Sequence, residues 1–246
     1  MKKRLLLFCL YLICTFIGVS AQPRQMQRVE DPTGYKDTYK DYFTIGVALN
    51  IRNVASDEQM AVVKKNFNSV TAENAMKPGE IHPKEGVWNF AGADSIANWC
   101  RANGVKMRGH CLAWHSQFAN WMFTDKKGKP VSKEVFYERL RNQIHTVVNR
   151  YKDVVYAWDV VNEAMTDGPS RLRDGSEPNP YHQSRLYKLC GDEFIAKAFQ
   201  FAREADPNAL LFYNDYNAAD PAKRDRIYDM VKKMKDAGVP IDGIGM

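Results

Sequence analysis

The sequence predicts a parallel α/β fold, either a (β/α)8 barrel or an open, doubly wound sheet. From about Asp41 onward, short apolar runs alternate with longer segments whose apolar residues recur at helical spacing. No hairpin-type turn motif joins consecutive apolar runs, so the helices between them must connect the strands. Such a strand–helix repeat gives a parallel sheet covered by helices. Polar and aromatic residues gather directly after the apolar runs, where enzymes of this class carry their sites.

Six segments have the length and apolar character of strands. The fourth is almost continuously apolar, as expected of a strand buried on both faces. The predicted strands cover residues 43–50, 69–72, 105–112, 154–161, 210–213 and 241–246. The first is not followed by a Gly-rich phosphate loop, which argues against a nucleotide-binding fold.

Capping signals set the ends of the predicted helices. Ser56 to Gln59 has the form of a capping box, and Gly104 suits the left-handed position after a helix over residues 93–103. Further predicted N-caps are Ser132, Asp192 and Asp220, the last followed by Pro221 at the first helical position. The polar segment 166–191 is too long to be a simple connector.

Residues 1–21 have the three parts of a secretory signal peptide. A basic start (Lys2, Lys3 and Arg4) precedes an apolar run over residues 5–19 and a cleavage site that ends at Ala21. The run is too short and poorly flanked for a transmembrane anchor, although an uncleaved anchor remains the alternative. We therefore expect a secreted or periplasmic protein with no membrane attachment after signal cleavage. Residues 22–40 are expected to form a polar lead-in to one domain over 41–246.

Charge and cysteine content exclude several classes of function. The net charge of +6 for the whole chain falls to +3 when the three cations of the signal segment are removed. This small excess is spread along the chain, so no nucleic-acid partner is expected. Cys100, Cys111 and Cys190 remain, without the short spacing of a zinc site or the number needed for a disulfide scaffold. At most one disulfide could form, and three buried thiols are expected.

Five clusters of polar and aromatic residues follow the predicted strands, over residues 71–77, 108–115, 158–164, 213–217 and 243–246. Each alone has an ordinary explanation, such as a surface ion pair of Glu73 with Lys77 or a hydrogen-bonded core histidine at His110. Together they would be costly to bury without a ligand or partners. Amides, charged donors and indoles suit a sugar chain, whose hydroxyls need hydrogen bonds and whose ring faces need aromatic surfaces. No histidine pair has metal-ligand spacing, and no G-x-S-x-G motif provides a serine nucleophile.

The motifs in these clusters resemble those of family 10 xylanases. They are Glu73-Asn74-x-x-Lys77, Arg108-Gly109-His110-x-x-x-Trp114-His115, Trp158-Asp159-Val160-Val161-Asn162-Glu163 and Asn214-Asp215-Tyr216-Asn217. The resemblance extends from about Phe43 to Met246. It implies a (β/α)8 TIM barrel that cleaves xylan or xylo-oligosaccharides internally, with retention of configuration and with no cofactor or metal.

The resemblance also implies roles for individual residues. Glu163 matches the general acid/base, and Asn162 matches the residue that binds the sugar 2-hydroxyl at the cleavage point. The residues that match the glycone-side binding set are Glu73, Asn74, Lys77, His110 and Trp114. Further expected sugar contacts are Gln117, Trp121, Asn214 and Tyr216. Asp159 is expected to support its neighbours.

The chain departs from the family pattern at the nucleophile. A retaining glycosidase needs a second carboxylate about 5–5.5 Å from the first, and no other glutamate of this chain matches its sequence context. We therefore expect about six of the eight βα units, a C-terminally truncated barrel and a nucleophile outside the chain. Two alternatives stay open: a non-catalytic xylan-binding fragment or pseudoenzyme, and a related β-1,4-glucanase. Xylan is favoured over glucan by the set formed by Glu73, Asn74, Lys77, His110 and Trp114.

Overall fold

The computed structural model of the chain describes residues 32–168, 171 and 173–246. The strands are β1 (Gly46–Leu49), β2 (Ser69–Ala72), β3 (Lys106–Trp114), β4 (Val155–Asn162), β5 (Leu210–Asn214) and β6 (Gly243–Gly245). The helices are α1 (Tyr35–Thr38), α2 (Ile51–Val54), α3 (Asp57–Asn66), α4 (Pro78–Ile81), α5 (Ala91–Asn103), α6 (Lys133–Tyr151), α7 (Arg185–Cys190), α8 (Glu193–Ala205) and α9 (Pro221–Asp236), with a 3₁₀ helix over Asn120–Phe123. The predicted signal segment lies outside the described residues.

The six strands form one sheet in sequential order, β1 to β6, and every pairing is parallel. A doubly wound sheet reverses its strand order partway, whereas a (β/α)8 barrel adds each strand beside the previous one. The order therefore confirms the barrel type, with six strands present in the described part. Because the strands are parallel, their carboxyl ends meet along one edge of the sheet.

Strand β4 lies at the centre of the core, as its apolar sequence predicts. All of its residues are buried except Tyr156, and Trp158 is the largest fully buried side chain. Gly109 of β3 pairs with Trp158, and a Cβ atom at Gly109 would lie 2.1 Å from the indole ring. The indole thus occupies the space that a side chain at Gly109 would need.

The predicted helix ends agree with the structure at three of four N-caps. The side chains of Ser56, Ser132 and Asp220 each accept a hydrogen bond from a first-turn backbone N–H. The prediction for Asp192 is wrong in part. It occupies the N-cap position of α8, but its carboxylate makes no capping bond and instead accepts from Lys233 Nζ at 3.2 Å.

Several short elements were not predicted by the sequence pattern, among them α2, α4 and the 3₁₀ helix. The polar segment 166–191 includes α7, and the segment expected as a lead-in includes α1. The three cysteines Cys100, Cys111 and Cys190 are buried free thiols, as expected. Within the part of the chain that the structure describes, no helix combines the length and apolarity needed to cross a membrane.

The imidazole of His82 is buried in an aromatic cluster at the end of α4. It stacks on Trp88 with ring centroids 3.7 Å apart and lies 4.4 Å from Trp121, whose indole N–H donates to the His82 carbonyl. Burial lowers the pKa of His82 from 6.5 to about 4, and this effect outweighs the nearby Gln143 side chain and the charge of Glu85, which both raise the pKa. The folded protein therefore favours the neutral ring.

This burial predicts a loss of stability in acid. The contribution of neutral His82 to the stability of the fold is fully present above its unfolded pKa of 6.5. This contribution is lost as the pH falls toward 4, the pKa of His82 in the folded protein. The free energy of unfolding should fall over this range by about 1–3 kcal/mol from this group. Urea unfolding at several pH values should show a shallower decline for His82→Phe, which cannot ionise. Parallel curves for the two proteins would contradict the assignment.

Candidate functional site

The carboxylate of Glu163 lies directly after β4, in the middle of the carboxyl edge of the sheet. Its backbone has a left-handed φ of 54°, which is uncommon for a residue with a side chain. The Glu163 N–H donates to the Asn214 carbonyl at 2.8 Å, and Trp114 Nε1 donates to Glu163 Oε2 at 3.0 Å. These bonds fix the position of a half-buried carboxylate, which can exchange a proton with a bound molecule.

Asn162 and Asn214 form a pair of amides beside Glu163. Asn162 is 2% exposed, and its Oδ1 accepts from Asn214 Nδ2 at 2.8 Å. The bond joins the last residues of β4 and β5, which are register partners. It fixes the plane of the Asn162 amide before any ligand binds.

The end of β2 contributes the cluster of Glu73, Asn74 and Lys77. Lys77 Nζ donates to Asn74 Oδ1 at 2.7 Å and lies 4.7 Å from the centroid of the Trp114 ring. Since Trp114 also bonds Glu163, the contacts run without a gap from Asn74 to the carboxylate. Glu73 is exposed beside this chain of contacts, and its backbone N–H donates to the carbonyl of Leu49.

A buried ion pair fixes His110 on β3. Asp159 of β4 accepts from Arg108 Nε at 2.9 Å and from Arg108 Nη2 at 2.5 Å, and its other oxygen lies 2.9 Å from His110 Nδ1. The Arg108 guanidinium also stacks over Phe212, 4.2 Å from its centroid. Asp159 therefore orients the His110 ring through Nδ1, which leaves Nε2 on the far side of the ring.

Gln117 follows β3, and Tyr216 follows β5. Gln117 is half-buried in the turn after β3, where its carbonyl accepts from the Gly79 N–H at 2.6 Å. The Gln117 side chain takes no part in the contacts of Glu163 with Trp114 and Asn214. Tyr216 follows β5 and is 42% exposed, with Lys223 Nζ 3.5 Å from its ring centroid.

A histidine pair borders the loop that follows Glu163. The rings of His115 and His182 stack with centroids 4.5 Å apart, and the His182 N–H donates to the Ala164 carbonyl at 3.0 Å. Burial, followed by the neighbouring His182, lowers the pKa of His115. Sequence patterns do not reveal this pair, because His182 lies in the irregular segment 166–191.

Lys223 was missed by sequence reasoning, and Tyr213 and Asp215 were placed in the cluster over residues 213–217 without a role. Tyr213, Asp215 and Lys223 form a buried network under the same loop. Burial raises the pKa of Tyr213 well above its ordinary range, with the adjacent Asp215 carboxylate adding to the shift. Burial lowers the pKa of Lys223. The contacts with the Asp215 and Asp167 carboxylates outweigh the effect of burial and raise this pKa above its ordinary value.

One sequence signal could have identified Lys223. It shares the helical spacing of the apolar stripe of α9, formed with Ile227, Met230 and Met234. A lysine at such a position is buried and needs partners. Among the residues that the structure describes, no group of three or more His, Cys, Asp or Glu is arranged to hold a metal ion.

A parallel sheet in barrel order, with a carboxylate, paired amides and an indole at its carboxyl edge, is the arrangement of a barrel glycoside hydrolase. The chain belongs to glycosyl hydrolase family 10, whose family model matches residues 34–246. This confirms the family that the motifs indicated.

Individual relatives agree with this assignment. The chain is 69% identical over 251 residues to an endo-1,4-beta-xylanase/feruloyl esterase of Xylanibacter ruminicola, an alignment that covers 100% of this chain and 34% of that protein. A psychrophilic family 10 endo-beta-1,4-xylanase is 60% identical, with a TM-score of 0.82 over 87% of this chain and 64% of that one. A second structure, a mutant protein in complex with xylotriose, is 38% identical with a TM-score of 0.80 over 86% of this chain and 62% of that one. The chain thus spans between about a third and two thirds of the length of these relatives.

Proposed function

We propose that this chain forms the acid/base and glycone-binding part of a retaining endo-β-1,4-xylanase. The observation that carries the proposal is the continuous set of contacts from Asn74 through Lys77 and Trp114 to Glu163. It joins a group that can transfer a proton to donors that can bind sugar hydroxyls and to an indole. The names of the relatives support xylan as the substrate.

In this mechanism Glu163 acts twice. It first donates a proton to the glycosidic oxygen as the bond to the anomeric carbon breaks and a carboxylate nucleophile attacks that carbon. It then accepts a proton from the water that releases the sugar from the nucleophile. Asn162, whose amide is fixed by Asn214, would bind the 2-hydroxyl, an interaction that strengthens in the transition state. No residue of this chain matches the sequence context of the nucleophile.

Because no residue of this chain matches the sequence context of the nucleophile, xylan binding without hydrolysis is a second candidate function. Hydrolysis and binding alone are distinguished by two measurements on the protein as its gene encodes it. One is the binding of xylan, and the other is the release of reducing ends from xylan. Hydrolysis supports the xylanase, and binding without hydrolysis supports the alternative. Cellulose as the better substrate would instead support a β-1,4-glucanase.

We also propose that the protein is exported, and this proposal is supported by the composition of residues 1–21 alone.

Substrate binding is tested by Lys77→Met. Removing the ammonium leaves Asn74 without its donor and the sugar without a hydrogen bond, a loss of about 1–3 kcal/mol. We expect kcat/KM for xylo-oligosaccharides to fall about tenfold to a hundredfold, with unchanged thermal stability. Lys106→Met is the control, because Lys106 is exposed at the opposite edge of the sheet. Equal kcat/KM for the Lys77 variant and the wild type would show that this cluster does not bind the substrate.

A further inference from the structure

Lys223 is a buried lysine at the start of α9 whose partners are residues of the candidate site. Its side chain is 1% exposed. An ammonium group at such a depth is costly unless it is paired, so its contacts decide its role. Both carboxylate partners belong to loops at the carboxyl edge of the sheet.

The contacts of Lys223 join the loops after β4 and β5. Its Nζ lies 2.9 Å from Asp215 Oδ1, which is fully buried, and 2.9 Å from Asp167 Oδ1. It also lies 3.5 Å from the centroid of the Tyr216 ring. One cation therefore holds a buried carboxylate, an outer carboxylate and an exposed aromatic ring.

Asp215 connects Lys223 to the backbone that follows Glu163. Its Oδ2 accepts from the Met165 N–H at 3.3 Å and from the Tyr213 hydroxyl. The same hydroxyl accepts from the Ala164 N–H at 3.0 Å. These bonds hold the two residues that come directly after the left-handed Glu163, and such a backbone persists only where its surroundings hold it.

The strand order shows on which side of Glu163 Tyr216 lies. The glycone-side cluster follows β2 and β3, Glu163 follows β4, and Tyr216 follows β5. Tyr216 is therefore on the other side of Glu163 from Lys77 and Trp114. A sugar chain that crosses Glu163 along the sheet edge would place its leaving-group end near Tyr216.

We propose that Lys223 is a positioning residue, which aims Glu163 at the leaving-group oxygen through Asp215 and supports Tyr216 under the leaving-group sugar. The proposal rests on the acid/base function proposed for Glu163. Positioning errors of this kind reduce catalysis even when the altered residue does not touch the substrate.

The test compares two substrates in Lys223→Met. Cleavage of a xylo-oligosaccharide needs both proton donation and binding of the leaving-group sugar, whereas an aryl xylobioside with a good leaving group needs neither. We expect kcat/KM to fall about tenfold to a hundredfold on the oligosaccharide and less than about threefold on the aryl substrate. Lys223→Arg should recover part of the loss. Lys232→Met should change neither substrate, because Lys232 lies on the same helix in an exposed pair with Asp236.

Each outcome decides the proposal. An equal loss on both substrates would show that Lys223 only stabilises the fold and would overturn the positioning role, as would no loss on either. If Lys223→Met is insoluble, Lys223→Gln, which keeps a donor without the charge, must show the same selective loss. A wild type that hydrolyses neither substrate, or a Glu163→Ala variant with equal loss on both, would overturn the acid/base function and the role of Lys223 with it.

Discussion

Replacing Glu163 with alanine is expected to reduce kcat/KM for xylan by about 10³-fold. The glycosidic oxygen of xylan is a poor leaving group and must be protonated as the bond breaks. An aryl xyloside with a good leaving group needs no proton in that step, so its kcat/KM should fall less than about tenfold. Steady-state kinetics of the variant on both substrates measures this difference.

The position of Glu163 makes the experiment specific. The carboxylate accepts from the Trp114 indole, and the Glu163 backbone N–H donates to the Asn214 carbonyl, so neither contact is an ion pair. Removing the carboxylate should therefore leave the thermal unfolding of the protein close to that of the wild type. Glu204→Ala provides a control, because Glu204 lies in an exposed ion pair with Arg141. A similar loss on both substrates by Glu163→Ala would contradict proton donation.

Adding one methyl group at Gly109 is expected to destabilise the protein more than any substitution on its surface. The new Cβ would lie 2.1 Å from Trp158, which is fully buried, so the ring can shift only if its neighbours shift as well. Overpacking of this kind costs about 3 kcal/mol or more when backbone and ring must both shift. Gly109→Ala should therefore lose most of its soluble expression or show a much lower urea midpoint.

Gly46 offers a matched control in the same sheet. A Cβ atom there would lie 3.7 Å from Ser69, an ordinary contact, so Gly46→Ala should be close to neutral. Combining Gly109→Ala with Trp158→Leu should recover part of the stability, because the smaller side chain removes the overlap. Equal stability for Gly109→Ala and Gly46→Ala would contradict the close packing of Gly109 in β3 against Trp158 in β4.

Sequence patterns predicted the elements of this fold better than its long-range contacts. Apolar runs and capping residues depend on neighbours in the chain, which is why the six strands of the described part and the helix starts at Ser56, Ser132 and Asp220 were found. The choice between barrel and doubly wound sheet could not be made from periodicity, because both repeat strand and helix. The sequential strand order decided it.

The site shows the same division. Trp114 and Asn162 end strands and Glu163 follows one, so these site residues stand out in the sequence. Lys223 of the site, and Asp192 at the N-cap of α8, are exceptions to local rules. Asp192 occupies a cap position but bonds Lys233, 41 residues away in the chain. Lys223 is a cation on an apolar helix face, and its partners come from two different loops. Such contacts depend on the assembled sheet and cannot be inferred from the residues beside them.

The most direct test of Glu163 as the acid/base of a retaining mechanism is the product that Glu163→Ala forms with azide. An aryl xylobioside would form the glycosyl-enzyme, and azide, which needs no general base, would then release the sugar. The proposed mechanism predicts faster turnover with azide and a xylobiosyl azide of β configuration, shown by NMR. Absence of rescue would contradict the acid/base assignment, and an azide product of α configuration would mean that Glu163 is the nucleophile instead.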